Sequence, residues 1–215
     1  MKRREFAVWS VCMGAVVALA PLSVQAQGGL PADGQYVKLA QRAPVSAPAG
    51  KIEVVEFFSY ACPHCYEFEP GLEAWVAKLP SDVVFRRVPI AFRPNWVPMQ
   101  KLYFTLEALG QANALQAKVF DAVHKQHLQL DQPDVAAEWA AKNGVDAAKF
   151  KSIYNSFGMQ SKVAQANRLA EQYKIDGVPT LGVNGQYLTS VSLTQSEAKT
   201  FAAANALIAA ARGGR

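Results

Sequence analysis

Apolar residues follow two alternating rhythms along this chain. Ile52-Glu53-Val54-Val55-Glu56-Phe57-Phe58 is an almost continuous apolar run of strand length, rich in Val, Ile and Phe. It predicts a central strand over Lys51 to Phe58. The apolar positions then open to helical spacing at Leu72, Trp75, Val76 and Leu79. That predicts a helix from about Cys62 to Leu79, with Pro63 in its first turn and a kink at Pro70. Val83 to Val88 reads as the next strand, and Tyr36-Val37-Lys38-Leu39 as a first edge strand.

A long helical stretch follows. Pro98 to Leu109 carries Met99, Leu102, Tyr103, Leu106 and Leu109 on one face and ends at Gly110. Asn113 can cap a second helix bearing Leu115, Val119 and Val123. A third runs from near Asp134 to Lys142 and stops at Gly144, Asp146 can cap a fourth through Tyr154, and a fifth spans about Gly158 to Tyr173. Strand character returns at Thr180 to Val183, and Asn184-Gly185 predicts a tight hairpin turn into Gln186 to Leu188. Thr194 with Glu197 has the spacing of a capping box. A last helix places Phe201, Ala204, Leu207, Ile208 and Ala211 on one face. The pattern is mixed α/β, with a helical block set into it at about Arg93 to Asp176.

The length of 215 residues suits one domain with an inserted subdomain, and 51% apolar content permits a sizeable core. The formal charge is +5, but Lys2, Arg3, Arg4 and Glu5 account for +2 of it, leaving +3. That excess is too weak to argue for nucleic acid. Those same residues open a secretory signal. A short apolar core follows from Val11 to Leu22, and Val24-Gln25-Ala26 closes it with a small-residue cleavage pattern. The expectation is a signal peptide over residues 1–26 and export after cleavage near Ala26. A retained anchor is the alternative, against which the apolar run is short of a full span.

Cleavage there would remove Cys12 and leave Cys62 and Cys65 as the only cysteines. A single pair so closely spaced closes too small a loop to constrain the unfolded chain much, so chemistry explains it better than stapling. Cys62 falls where strand gives way to helix. Unpaired N–H groups and the positive end of the helix dipole there favour a thiolate. Cys65 lies one turn further in, on the same side. His64, between them, can stabilise the neighbouring thiolate by charge and hydrogen bonding. Glu56 sits at an inward-facing point of an apolar strand, where a charge is costly unless paired. Arg87 on the next strand is a possible counter-charge, and a simple structural ion pair remains an alternative to a role in chemistry. Cys62, Cys65, His124 and His127 could nominally supply four zinc ligands. The gap between the histidines is shorter than finger spacing, however, and the chain between the two pairs is far too long. Most of Phe57, Phe58, Tyr60 and Tyr66 read as core or rim packing, with Tyr60 possible at the edge of a client groove.

Cys62-Pro63-His64-Cys65, the preceding Glu56-Phe57-Phe58-Ser59, and Gly177-Val178-Pro179-Thr180 far downstream together resemble the periplasmic DsbA thiol:disulfide oxidoreductases of the thioredoxin superfamily. The resemblance covers nearly all of the chain beyond the signal segment. It implies a thioredoxin-like domain over 27–92 and 177–215, with the helical insertion at 93–176. It implies Cys62 as nucleophile, Cys65 as resolving thiol, and Glu56 as an acid beneath the site serving proton transfer to the buried cysteine. It also implies a cis Val178–Pro179 bond beside Cys62, with Val178, Pro179 and Pro63 bordering the client site. The implied activity is donation of the Cys62–Cys65 disulfide to reduced exported proteins by a monomer without metal or other cofactor. Reoxidation would fall to a quinone-linked membrane oxidase of the DsbB kind. A disulfide isomerase or reductase of the same fold is the nearest alternative. A peptide-binding chaperone with incidental cysteines is a more distant one.

Overall fold

The computed structural model describes residues 29–214, so the expected signal peptide and the expected cleavage near Ala26 lie outside the described residues. Strands β1 (Val37–Lys38), β2 (Ile52–Phe58), β3 (Val83–Pro89), β4 (Thr180–Val183) and β5 (Tyr187–Ser190) form one sheet in the order β1-β5-β4-β2-β3. β2 runs parallel to β3 and antiparallel to β4, while β5 pairs antiparallel with both β4 and β1. Every residue of β2 is buried, as expected of an interior strand covered on both faces. The hairpin turns where Asn-Gly predicted it. Asn184 and Gly185 both take positive φ, and the Gln186 N–H closes the turn on the Val183 carbonyl.

The helices are α1 (Pro63–Val76), α2 (Val97–Ala108), α3 (Ala112–His124), α4 (Pro133–Lys142), α5 (Ala147–Tyr154), α6 (Phe157–Tyr173), α7 (Val191–Thr194) and α8 (Glu197–Gly213). The five helices α2 to α6 fall between β3 and β4. α1 and α8 cover one side of the sheet, burying Phe68, Leu72, Leu207 and Ile208 against Ile52, Val54, Leu181 and Val183. A second cluster joins Phe57, Phe58 and Tyr60 to Leu102, Leu106, Phe120 and Tyr173 of the inserted helices.

Several local expectations needed correction. α1 ends at Val76, three residues before Leu79, with Pro70 inside it. Gln111, not Asn113, stands at the N-cap of α3, and it makes no side-chain cap. The Thr194–Glu197 capping box does not form. Thr194 ends the short helix α7, which periodicity missed, and its hydroxyl bonds to Thr200 and to the Ser190 and Ser196 carbonyls. The Asp146 cap does form, accepting from the Ala148 and Lys149 N–H groups.

Candidate active site

The end of β2 is tied to the start of α1 by one tight turn. The Ser59 carbonyl accepts from the Cys62 N–H at 3.1 Å, and the Ser59 hydroxyl accepts from the Ala61 N–H at 3.2 Å. Cys62 thereby becomes the N-cap of α1, with Pro63 exposed at the first helical position. Cys65 follows one turn later and is completely buried, whereas Cys62 keeps 6% exposure. Both are free thiols in this structure.

Their surroundings pull the two thiols apart. Cys62 is lowered to about 6. The Cys65 thiol, hydrogen-bonded to the Cys62 sulfur, contributes most. Burial opposes it, and the backbone N–H groups of Cys65 and His64, then the His64 charge, assist. Cys65 is pushed well up, first by burial, then by the bond to Cys62 and the nearby charges of Cys62 and Glu56. One sulfur is poised as thiolate and the other is held as thiol.

Across the site, the Val178–Pro179 bond is cis, and the Val178 carbonyl lies 3.6 Å from Cys62 Sγ. Beside it runs a groove of about 470 Å³, lined on one side by His64, Glu67 and Phe68 and on the other by Val178, Pro179 and Val191.

A family model described as a DSBA-like thioredoxin domain matches residues 83–204. The thiol:disulfide interchange protein DsbA of Burkholderia cepacia is 46% identical over 181 residues, covering 84% of this chain and 85% of that protein. The chain belongs to the DsbA family of thiol:disulfide oxidoreductases. DsbA of Azotobacter vinelandii is 43% identical over 203 residues, covering 91% of this chain and 94% of that one. The crystal structure of Pseudomonas aeruginosa DsbA superposes with a TM-score of 0.80 at 42% identity, covering 84% of this chain and 93% of that one. The thioredoxin-like fold that the resemblance implied is therefore the fold of this chain.

Beneath Cys65, register makes a charge cluster. Glu56 is the direct partner of Arg87 across the β2–β3 pair. Arg87 Nε donates to Glu56 Oε2 at 3.0 Å, and Nη2 donates to Glu69 Oε1 at 2.8 Å and to Glu73. Three carboxylates share one guanidinium; Glu56 and Glu69 are buried and Glu73 is exposed, so the buried pair is left with surplus negative charge. Burial raises Glu56 to about 8, against the pull of Arg87, and raises Glu69 to about 7 on the same balance. Glu56 Oε1 has no hydrogen-bond partner among the described residues, so that oxygen is available to carry a proton. The expected counter-charge at Arg87 is thus in place, but it is shared with two glutamates that sequence reasoning missed. Their signal was available: Cys65, Glu69 and Glu73 stand at i, i+4 and i+8 on one face of α1.

Other anticipated residues are placed differently. His64 turns outward, with its side chain 78% exposed and Nδ1 3.2 Å from Glu67 Oε2. Its backbone N–H acts on Cys62 ahead of its charge. Tyr60 lines no groove: it is 1% exposed, and its hydroxyl donates to Gln116 Oε1 at 2.6 Å. His127 is exposed, and His124 Nε2 lies on the Tyr60 carbonyl, so the nominal zinc set does not converge. Among the described residues, no three His, Cys, Asp or Glu side chains are grouped to hold a metal. Nor is any described helix long and apolar enough to cross a membrane.

Proposed function

We propose that this DsbA-family chain is a periplasmic dithiol oxidase that gives its Cys62–Cys65 disulfide to reduced exported proteins. The observation that carries this reading is the split between the two sulfurs, with Cys62 lowered to about 6 and the buried Cys65 pushed up. A client thiolate attacks Cys62 Sγ. The Cys62–Cys65 bond breaks, its electron pair goes to Cys65, and the client is held by a mixed disulfide on Cys62. Cys65, disfavoured as a thiolate, takes a proton, and Glu56 is the buried acid placed to supply it. A second client thiolate then attacks its own sulfur in the mixed disulfide and expels Cys62 as a stabilised thiolate. The client loses two electrons and two protons; the enzyme takes up both electrons and one proton, ending with Cys65 as thiol and Cys62 as thiolate, and the other proton passes to solvent.

The direction follows from which state the site favours. A depressed Cys62 value stabilises the reduced protein, so the disulfide is comparatively ready to be given away. Val178 and Pro179 line the groove beside Cys62, which supports their assignment to client binding, and Pro63 is assigned with them from its exposed place at the start of α1. The remaining assignments go with this reading. Residues 1–26 direct export, 27–92 with 177–215 form the thioredoxin-like domain, and 93–176 form the helical insertion. A quinone-linked membrane oxidase of the DsbB kind restores the disulfide. The protein acts as a monomer, needing no cofactor beyond the disulfide.

The test pairs oxidation of a reduced dithiol peptide with insulin reduction, in the parent protein and in Cys62→Ser and Cys65→Ala. Peptide oxidation should dominate and vanish in Cys62→Ser, and Cys65→Ala should accumulate mixed disulfides on Cys62. Preferential insulin reduction would favour a reductase. Alkylation of Cys65 before Cys62 in the reduced parent would reverse the roles.

A further inference from the structure

Helix α3 grips the active-site segment from outside the sheet. Gln116, Asp121 and His124 lie on its facing side. Gln116 Oε1 accepts the Tyr60 hydroxyl at 2.6 Å, Asp121 Oδ1 accepts the Tyr66 hydroxyl at 3.0 Å, and His124 Nε2 lies 2.8 Å from the Tyr60 carbonyl oxygen. The histidine ring is half-buried and stacked on Tyr66, with centroids 5.0 Å apart and planes within 12°. A carbonyl oxygen only accepts, so Nε2 must carry the proton in either charge state of the ring.

The position of that carbonyl matters more than the bond itself. Residues 59 to 62 form the turn that delivers Cys62, closed by the Cys62 N–H on the Ser59 carbonyl at 3.1 Å. The peptide between Tyr60 and Ala61 is the central peptide of this turn. Central peptides are the ones that reorient between turn types, carbonyl and N–H exchanging sides. Here both ends of the plane are held. The oxygen is held by His124 at 2.8 Å, and the Ala61 N–H by the Ser59 hydroxyl at 3.2 Å. Cys62 is the next residue, and the alignment of its sulfur with the first N–H groups of α1 depends on the direction in which this turn releases the chain.

We propose that His124 is a positioning residue for the thiol–disulfide reaction, pinning the Tyr60–Ala61 peptide so that Cys62 meets the N-terminus of α1 in its working orientation. The inference rests on Cys62 being the attacking sulfur. His124 touches neither sulfur and acts only through the turn. The stack on Tyr66 fixes the ring plane over a part-buried hydrogen bond. The sequence hides this role because His124 is 64 positions away from Tyr60 and reads as a helix-end histidine.

The experiment compares His124→Phe, which keeps a ring on Tyr66 but removes the donor, with His124→Gln, which keeps an N–H donor. Thiolate absorbance of the reduced protein against pH reads the Cys62 pKa, and equilibrium with glutathione reads the disulfide. His124→Phe should raise the Cys62 pKa by about one unit, which is about a tenfold loss of thiolate on the acid side. It should move the glutathione equilibrium about tenfold toward the disulfide form, because the reduced form loses the same stabilisation. His124→Gln should recover most of both. An unchanged pKa and equilibrium in His124→Phe overturns the proposal whatever happens to the melting temperature, and so does equal disturbance in Phe and Gln. Should His124→Phe not fold, Ser59→Ala releases the other end of the same peptide. It must then raise the Cys62 pKa; no change there is equally fatal. These readings need no client. Failure of the parent to oxidise peptides would therefore sink the oxidase reading and leave this one standing.

Discussion

Glu56 and Arg87 face each other across two parallel strands, joined at 3.0 Å, with the second carboxylate oxygen of Glu56 unpartnered among the described residues. A carboxylate paired in this way would ordinarily titrate low. Burial prevails here, because the one guanidinium is divided among Glu56, Glu69 and Glu73. The cluster therefore keeps a proton near neutral pH, next to the thiol that needs one.

Glu56→Gln should slow the release of Cys65 as a leaving group, by about 10²-fold if Glu56 is its proton donor. The folded protein holds the Glu56 proton up to about 8, against 4.5 in the unfolded chain. Folded molecules thus bind more protons within that window, and stability falls as pH rises through it. The glutamine variant should lose that slope. Stopped-flow exchange and thermal unfolding from acid to mildly alkaline pH measure the two effects. Unchanged rates with a changed slope would reduce Glu56 to a structural role.

Arg87→Met should be the most damaging change in the cluster, at about 3–5 kcal/mol, because it strands buried carboxylates. The loss should shrink in acid. Glu56 and Glu69, raised already to about 8 and 7, would rise further without the cation and fold as neutral acids. Denaturant titrations at acid and neutral pH check this. A loss that is equal at both would refute the charge account.

The causes of the Cys62 shift predict an order of effects. Cys65→Ala removes the largest contribution, and His64→Ala removes the smallest of those that lower it. Both should raise the Cys62 pKa, Cys65→Ala by more. The reduced-form stabilisation is fully present above the unfolded thiol value of 9.0 and is lost as pH falls through about 6. It should therefore shrink in the same order at neutral pH. Thiolate absorbance of the reduced variants decides, and a larger shift in His64→Ala would contradict the outward placement of that ring.

Pro179→Thr should leave Cys62 reactive and slow client release. Proline offers no N–H beside the sulfur, whereas threonine adds an N–H and a hydroxyl in a groove that the Val178 carbonyl already approaches to within 3.6 Å of Cys62. One added hydrogen bond is worth about 0.5–1.5 kcal/mol, up to roughly tenfold in the lifetime of a mixed disulfide. Non-reducing gels of trapped complexes read this directly; no more complexes than in the parent would count against it.

What the sequence by itself determined is local. The handover from β2 to α1, the Pro63 start, the Asn184-Gly185 turn, the Asp146 cap and the glycine stops after α2 and α4 follow from periodicity and backbone preference over a few residues. So does the placement of Cys62 ahead of Cys65. The pairing of Glu56 with Arg87 was half legible, since each lies on a recognisable strand, but register alone makes them opposite neighbours. Tertiary structure decided the rest. It brought Glu69 and Glu73 to the same guanidinium, buried Tyr60, turned His64 outward and set His124 on the Tyr60 carbonyl. It also gave Thr194 to α7 rather than to the cap of α8. These outcomes depend on the rotation and docking of whole helices, which arise from packing over distant parts of the chain. No short window of residues contains that information.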